Sequence, residues 1–178
     1  VLRAVREVIE NTSLPSWLQR PPRTFGTTAH GKLKADEWRT VCTIHLMITL
    51  VKTWGFSSSE REKDLLKNYV HLVIAAEQGT RRSMSPERAE LFTQESYEYL
   101  AGLRSLFQHK LVQNHHLSLH FAQCLSLFGP VHAWWTYPFE RYNGVIGRLN
   151  KNNHPSELPE TFMRYFCAGA RLRQLMSD

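Results

Sequence analysis

Between Asp36 and about Trp54 the chain is apolar on more than one side of a helix: Trp38, Val41, Cys42, Ile44, Leu46, Met47, Ile48, Leu50, Val51 and Trp54. A helix apolar almost all round must be covered from several directions, which predicts a central helix with others packed about it. His45 and Thr49 interrupt the run, and Arg39 and Lys52 flank it. It therefore falls short of the uninterrupted apolar length that a membrane span needs, and no membrane partner is expected.

Punctuation on either side of this run predicts further helices. Val1, Val5, Val8 and Ile9 share one helical face that ends at Asn11-Thr12-Ser13. Pro15, Pro21 and Pro22 then fix φ and remove donors, which predicts a non-helical connector continued by Gly26 and Gly31. Ser59 and Glu62 resemble a capping box opening a helix with Leu65, Leu66, Tyr69, Val70 and Val73 inward and Gly79 as its stop. Ser85-Pro86 reads as an N-cap followed by proline at the first position, starting a long helix to about His109. Its expected core is Leu91, Leu100, Leu103, Leu106 and Phe107.

Asn114 can cap the next helix, to Phe128 before Gly129-Pro130, and Val131–Thr136 reads as extended. Pro138 suits the start of a helix bearing Glu140, and Lys151–Pro155 reads as a loop. Pro159 opens a last helix to about Met176. The expectation is an all-α chain with little or no strand, divided as 1–35, 36–128 and 129–178. With 178 residues and 42% hydrophobic content the chain can bury a sizeable core. The net charge of +6 favours polyanionic partners, nucleic acid among them. Three widely spaced cysteines, Cys42, Cys124 and Cys167, predict free buried thiols in a reducing compartment rather than a disulfide framework.

Three features carry candidate chemistry. His116, His120 and Cys124 stand at i, i+4 and i+8 on one helix, with His115 and His132 near in sequence. Three ligands within two turns of a single helix wrap a tetrahedral ion poorly, which favours histidines bonded within a core over a metal site. Asp36 and Glu37, beside Lys32, Lys34 and Arg39, are placed to stabilise a helix N-terminus, and capping alone would explain them. Glu140 is a single carboxylate within the aromatic run Trp134–Tyr142, at the start of a helix. Aromatic surroundings can restrict water around a carboxylate and strengthen its hold on a cation. The plainer reading is a Glu140–Arg141 surface pair beside an aromatic core.

The run Gly129-Pro130-Val131-x-x-Trp134-Trp135-x-x-Pro138-Phe139-Glu140-Arg141-x-Asn143-Gly144 resembles the C-terminal block of CACTA-type transposases. Closest are the fungal Tnp2-like and Kyakuja–Dileera–Zisupton-type proteins. His116-Leu117-x-x-His120-Phe121 fits the same block. Pro15-Ser16-Trp17, Arg20-Pro21-Pro22 and Gly31–Arg39 look like the block that precedes the helical insertion in that family.

The resemblance implies an RNase H-like nuclease core with an Asp, Asp and Glu triad holding two Mg²⁺ or Mn²⁺ ions, and a nuclear protein that acts on DNA. It makes Glu140 the third acid, both catalytic and metal-binding, on the helix after an all-helical insertion. Arg141, Arg148, Lys151 and Arg164 become the expected DNA contacts, mainly to phosphate. Residues Asp36–Arg39 sit where related plant elements show a His/Asp/Cys/His-like cluster, and here that cluster reads Asp-Glu-Trp-Arg. The first two aspartates and the sheet are expected upstream of Val1, and a start without methionine fits a piece of something longer. A lone carboxylate cannot hold two divalent ions, so this segment alone is expected to bind no cofactor and to be inactive. A homo-oligomer is compatible with the intact protein. The rival expectation is a domesticated, non-catalytic helical module that binds DNA or another protein.

Overall fold

The computed structural model describes residues 1–27, 32–148, 154 and 156–177. Among them there is no strand, and the chain is all-α. The helices are α1 (Leu2–Asn11), α2 (Ala35–Thr40), α3 (Met47–Trp54), α4 (Glu60–Gly79), α5 (Pro86–Phe107), α6 (Gln113–Phe128), α7 (Tyr137–Gly147) and α8 (Leu158–Ser177). A π-helical segment, Val41–Leu46, joins α2 to α3, and one 3₁₀ turn, Val131–Ala133, follows α6. No helix among the described residues is long and apolar enough to cross a membrane.

The chain divides into two compact units, Val1–Ala133 and Trp134–Asp178. The divisions expected at 35/36 and 128/129 do not coincide with this one. Helix α1 packs on α3 and the π segment through Val5 and Ile9, both buried, and so shares a unit with α2–α6. The connector after α1 folds back as turns: Arg6 Nε donates to Phe25 O at 2.9 Å, and the Phe25 ring meets Trp38 edge-on. Gly26, at φ +75°, lies so close to Leu2 that a Cβ there would stand 2.8 Å from Leu2 Cδ1.

Residues Asp36–Trp54 are helical throughout, as the sequence predicts, but their buried face is not the apolar one expected. Glu37, Thr40, Val41, His45, Thr49 and Leu50 are buried, whereas Trp38 is 49% exposed and Val51 43%. An α-helix rotates a four-residue spacing by about 40° per step. The wider π turn counters that rotation and keeps Val41, His45 and Thr49 on the inner face. The threonines are buried at low cost because each hydroxyl bonds back to a carbonyl four residues earlier: Thr40 to Asp36 O at 3.0 Å, Thr49 to His45 O at 2.7 Å.

Helices α4 and α5 form an antiparallel hairpin. Its cross-links run from Arg61–Leu106 at one end, through Asn68–Gly102, to His71–Glu95. The start of α4 differs in detail from expectation: the Glu62 carboxylate accepts from Ser57 Oγ, and the Ser59 hydroxyl caps nothing. Gly79 ends α4 as expected. Ser85 caps α5 by accepting from Arg88 N at 3.4 Å, and Gln108 closes it in the left-handed conformation at φ 51°. The α5 core is Ala89, Phe92, Ser96 and Leu100, while Leu91 and Phe107 are exposed. Phe92 meets Phe121 of α6 with ring centroids 5.5 Å apart. The extended segment expected at Val131–Thr136 is instead a 3₁₀ turn and bend, set by the Ala133 N to Pro130 O bond at 2.9 Å after Gly129 at φ +73°.

At Gly102, α5 lies close against Asn68 of α4. A Cβ there would overlap the carboxamide of Asn68, a 6% exposed side chain whose Oδ1 has no hydrogen-bond partner. Glycine inside a helix costs about 1 kcal/mol against alanine. Forcing a methyl into a packed contact costs about 1–3 kcal/mol. Gly102→Ala is therefore expected to be neutral to destabilising, by up to about 2 kcal/mol. Gly169→Ala in α8, with open space around it, should gain stability. Urea midpoints of the two variants check the contrast, and equal shifts would show that the α4–α5 contact is looser than described.

Candidate functional site

Unit Trp134–Asp178 carries Glu140, Arg141, Arg148 and Arg164. Pro138 at the first turn of α7 starts the helix as expected, and Glu140 sits in that turn. A carboxylate there is favoured by the partial positive charge of the helix N-terminus. Glu140 Oε1 accepts from Thr136 Oγ1 at 3.2 Å, so the partner of Glu140 is Thr136 and not Arg141. Glu140 is exposed, and its aromatic neighbours do not wall it off from water: Phe139 is 69% exposed and Tyr142 54%. These rings engage one another instead. Trp135 meets Tyr137 edge-on at 4.8 Å, and Tyr142 meets Phe166 at 6.3 Å.

The expected DNA contacts are distributed along two helices. Arg141 lines a cleft of about 500 Å³ with Trp135, Tyr137, Tyr142 and Arg173. Arg148, just past α7, donates from Nε to Gly144 O at 3.0 Å. Arg164 on α8 pairs with Glu160 at 2.9 Å, both fully in solvent reach. Exposed i,i+4 pairs of this kind are worth only about 0.3–0.5 kcal/mol and open readily to another anion. Lys151 lies outside the described residues. One exposed carboxylate with one oxygen engaged supplies a single hard ligand, which does not fit a two-metal centre by itself.

The other candidates resolve differently. Glu37 is buried and its Oε2 accepts from Lys34 N at 2.8 Å, so it caps α2. Asp36 is exposed, and Arg39 reaches Thr80 Oγ1 at 3.5 Å. His116 and His120 are exposed and face each other with their Nε2 atoms 3.2 Å apart, so the core histidines favoured from sequence are not found there. Cys124 is half-buried and His132 bonds Thr80 O at 3.1 Å. Among the described residues no three His, Cys, Asp or Glu side chains gather closely enough to hold a metal ion.

The three cysteines are free, as expected, but Cys167 is exposed and Cys42 and Cys124 are only half-buried. Burial pushes the Cys42 thiol above its ordinary range, with a hydrogen bond from Tyr69 opposing the shift. A thiol held protonated is a poor nucleophile and a poor metal ligand. Tyr69 is also raised, first by burial and then by Cys42, and its hydroxyl donates to Cys42 O at 2.7 Å.

Two groups are not among the candidates that the sequence pattern offers. His45 is fully buried in the π segment, with Nδ1 3.2 Å from Thr40 O and Nε2 unpartnered. His71 Nδ1 meets Glu95 Oε2 at 2.6 Å between α4 and α5. His45 shows in sequence only as a break in an apolar run, and His71 and Glu95 are joined by tertiary packing alone. No family model, curated protein or solved structure matches this chain.

Proposed function

We propose that this chain is the C-terminal part of a DDE-type DNA transposase of the CACTA kind, contributing the third acid and DNA contacts to metal-dependent strand cleavage and transfer. The observation that carries the reading is Glu140: an exposed carboxylate in the first turn of a helix, following a long all-helical stretch, within the Gly129–Gly144 run that resembles the family. The cleft of arginine and aromatic side chains one residue away supports DNA as the partner, since guanidinium groups meet phosphate and aromatic rings meet bases. In the intact nuclear protein, two upstream aspartates would join Glu140 in holding Mg²⁺ or Mn²⁺, which supply charge stabilisation for an in-line displacement. The chain by itself is inactive on this reading.

Large exposed side chains favour a second reading, a domesticated helical module that binds a protein. Phe56 is 96% exposed and Trp17 81%, the kind of large apolar side chain that a partner protein covers.

Titration against unrelated duplexes at two salt concentrations tests the DNA reading. The expected result is weak binding with little sequence preference that falls as salt rises. Replacing Arg141, Arg148 and Arg164 together with alanine should make the log–log salt dependence shallower by about 3 at most. No binding at low salt would remove DNA as the partner and leave the protein-binding module, and tight binding indifferent to salt would overturn the phosphate contacts assigned to these arginines.

A further inference from the structure

His116 and His120 stand one turn apart on α6, both exposed, with ring centroids 4.9 Å apart and planes at 79°. Their Nε2 atoms are 3.2 Å apart. Two imidazole nitrogens bound to one zinc ion at 2.0–2.1 Å, subtending a tetrahedral angle, stand about 3.3–3.4 Å apart. The metal-free helix therefore already holds the two nitrogens at chelating separation. Without metal, a hydrogen bond between the two Nε2 atoms needs one ring to donate and the other to accept, so the two nitrogens share a single proton between them. A metal ion takes the place of that shared proton.

The geometry points to a bidentate site for a borderline divalent transition ion, Zn²⁺ being the type, formed by Nε2 of His116 and Nε2 of His120. Imidazole suits Zn²⁺, Ni²⁺ and Cu²⁺, whereas Mg²⁺ takes oxygen ligands and keeps its water. The site is thus chemically distinct from any carboxylate centre built on Glu140, and it stands whether or not the transposase reading does. Neighbouring side chains do not complete it. His115 is engaged elsewhere: its Nδ1 accepts from Val112 N at 3.2 Å and its ring packs on His109. Cys124 lies a further turn along and forms no three-ligand group with the pair. Water fills the remaining positions, so the ion is exchangeable.

Bridging positions one turn apart also ties down part of α6. That helix opens at Val112, which offers no side-chain oxygen to its first amides. Zinc should accordingly raise the stability of the chain through mass action on the folded state.

Calorimetric titration of the chain with ZnCl₂, and in parallel with MgCl₂, tests the assignment. The expected result is saturable zinc binding at one ion per chain, no magnesium heat, and a zinc-dependent rise in the melting midpoint. Loss of an outer-shell partner alone weakens metal sites by about 10–100-fold. Removing a direct ligand should cost at least as much, so His116→Ala and His120→Ala should each weaken zinc binding by about tenfold or more. His109→Ala should leave it unchanged. Both rings are on the surface, so the variants should fold, and circular dichroism without metal confirms it. Absence of zinc binding, or binding of equal strength in the double variant His116→Ala/His120→Ala, overturns the proposal. A loss in His109→Ala as large as in the other two does so as well.

Discussion

In a longer protein that supplies the two upstream aspartates, Glu140→Gln should abolish Mg²⁺- or Mn²⁺-dependent DNA cleavage while leaving the fold intact. The expected loss is complete within detection, because the swap keeps the shape of the side chain and removes the charge that holds metal. The structure explains why the fold should tolerate it. Glu140 is exposed, and its Oε1 accepts from Thr136 Oγ1, a role that the glutamine oxygen can fill. No ion pair with Arg141 is lost, because Thr136 is the partner. The comparison therefore separates a catalytic carboxylate from a helix-terminal one. If Glu140 only favours the N-terminus of α7, its neutralisation costs about 0.3–1 kcal/mol and cleavage continues. Cleavage assays on the two proteins, with melting curves beside them, decide it. An active parent that keeps its activity in Glu140→Gln ends the catalytic assignment.

The sequence was most informative where backbone chemistry is local. Ser85-Pro86, Gly79 and Pro138 mark helix ends by what their side chains or rings do to their own backbone, and the helices begin or end there. It was least informative about which face is buried. The segment Asp36–Trp54 is apolar on more than one side, and counting threonine as polar leaves Thr40 and Thr49 out of its expected core. In the folded chain Thr40 and Thr49 bond their hydroxyls to carbonyls one turn back and are buried. The π turn keeps Val41, His45 and Thr49 on the buried face, while Trp38, ahead of it, stays half exposed. At the candidate site, spacing revealed that Glu140 lies among aromatic residues but not where the rings point. Trp135 turns to Tyr137 and Tyr142 to Phe166, so the carboxylate stays in water. The His116–His120 pair shows in sequence as an i,i+4 spacing, which does not reveal that the two Nε2 atoms stand 3.2 Å apart.

Helix α6 turns the same difficulty into a large stability effect. It carries leucines at 117, 119, 125 and 127, and their spacing does not single out one stripe. The structure does: Leu125 is 1% exposed, against 53% for Leu117 and 76% for Leu127. Deleting a buried leucine side chain loses its transfer free energy and leaves a cavity, together about 2–5 kcal/mol. Leu125→Ala should therefore cost that much, a large part of the about 5–15 kcal/mol that holds a typical domain together. Leu127→Ala and Leu117→Ala remove surface that already meets water, and alanine is the better helix former, so each should change stability by about 0.5 kcal/mol or less. Chemical unfolding of the three variants gives the ranking directly. Comparable losses at 125 and 127 would mean that α6 is rotated about its axis relative to the described packing on α5. Such a rotation would also carry His116 and His120 away from the solvent-facing side that the zinc site requires.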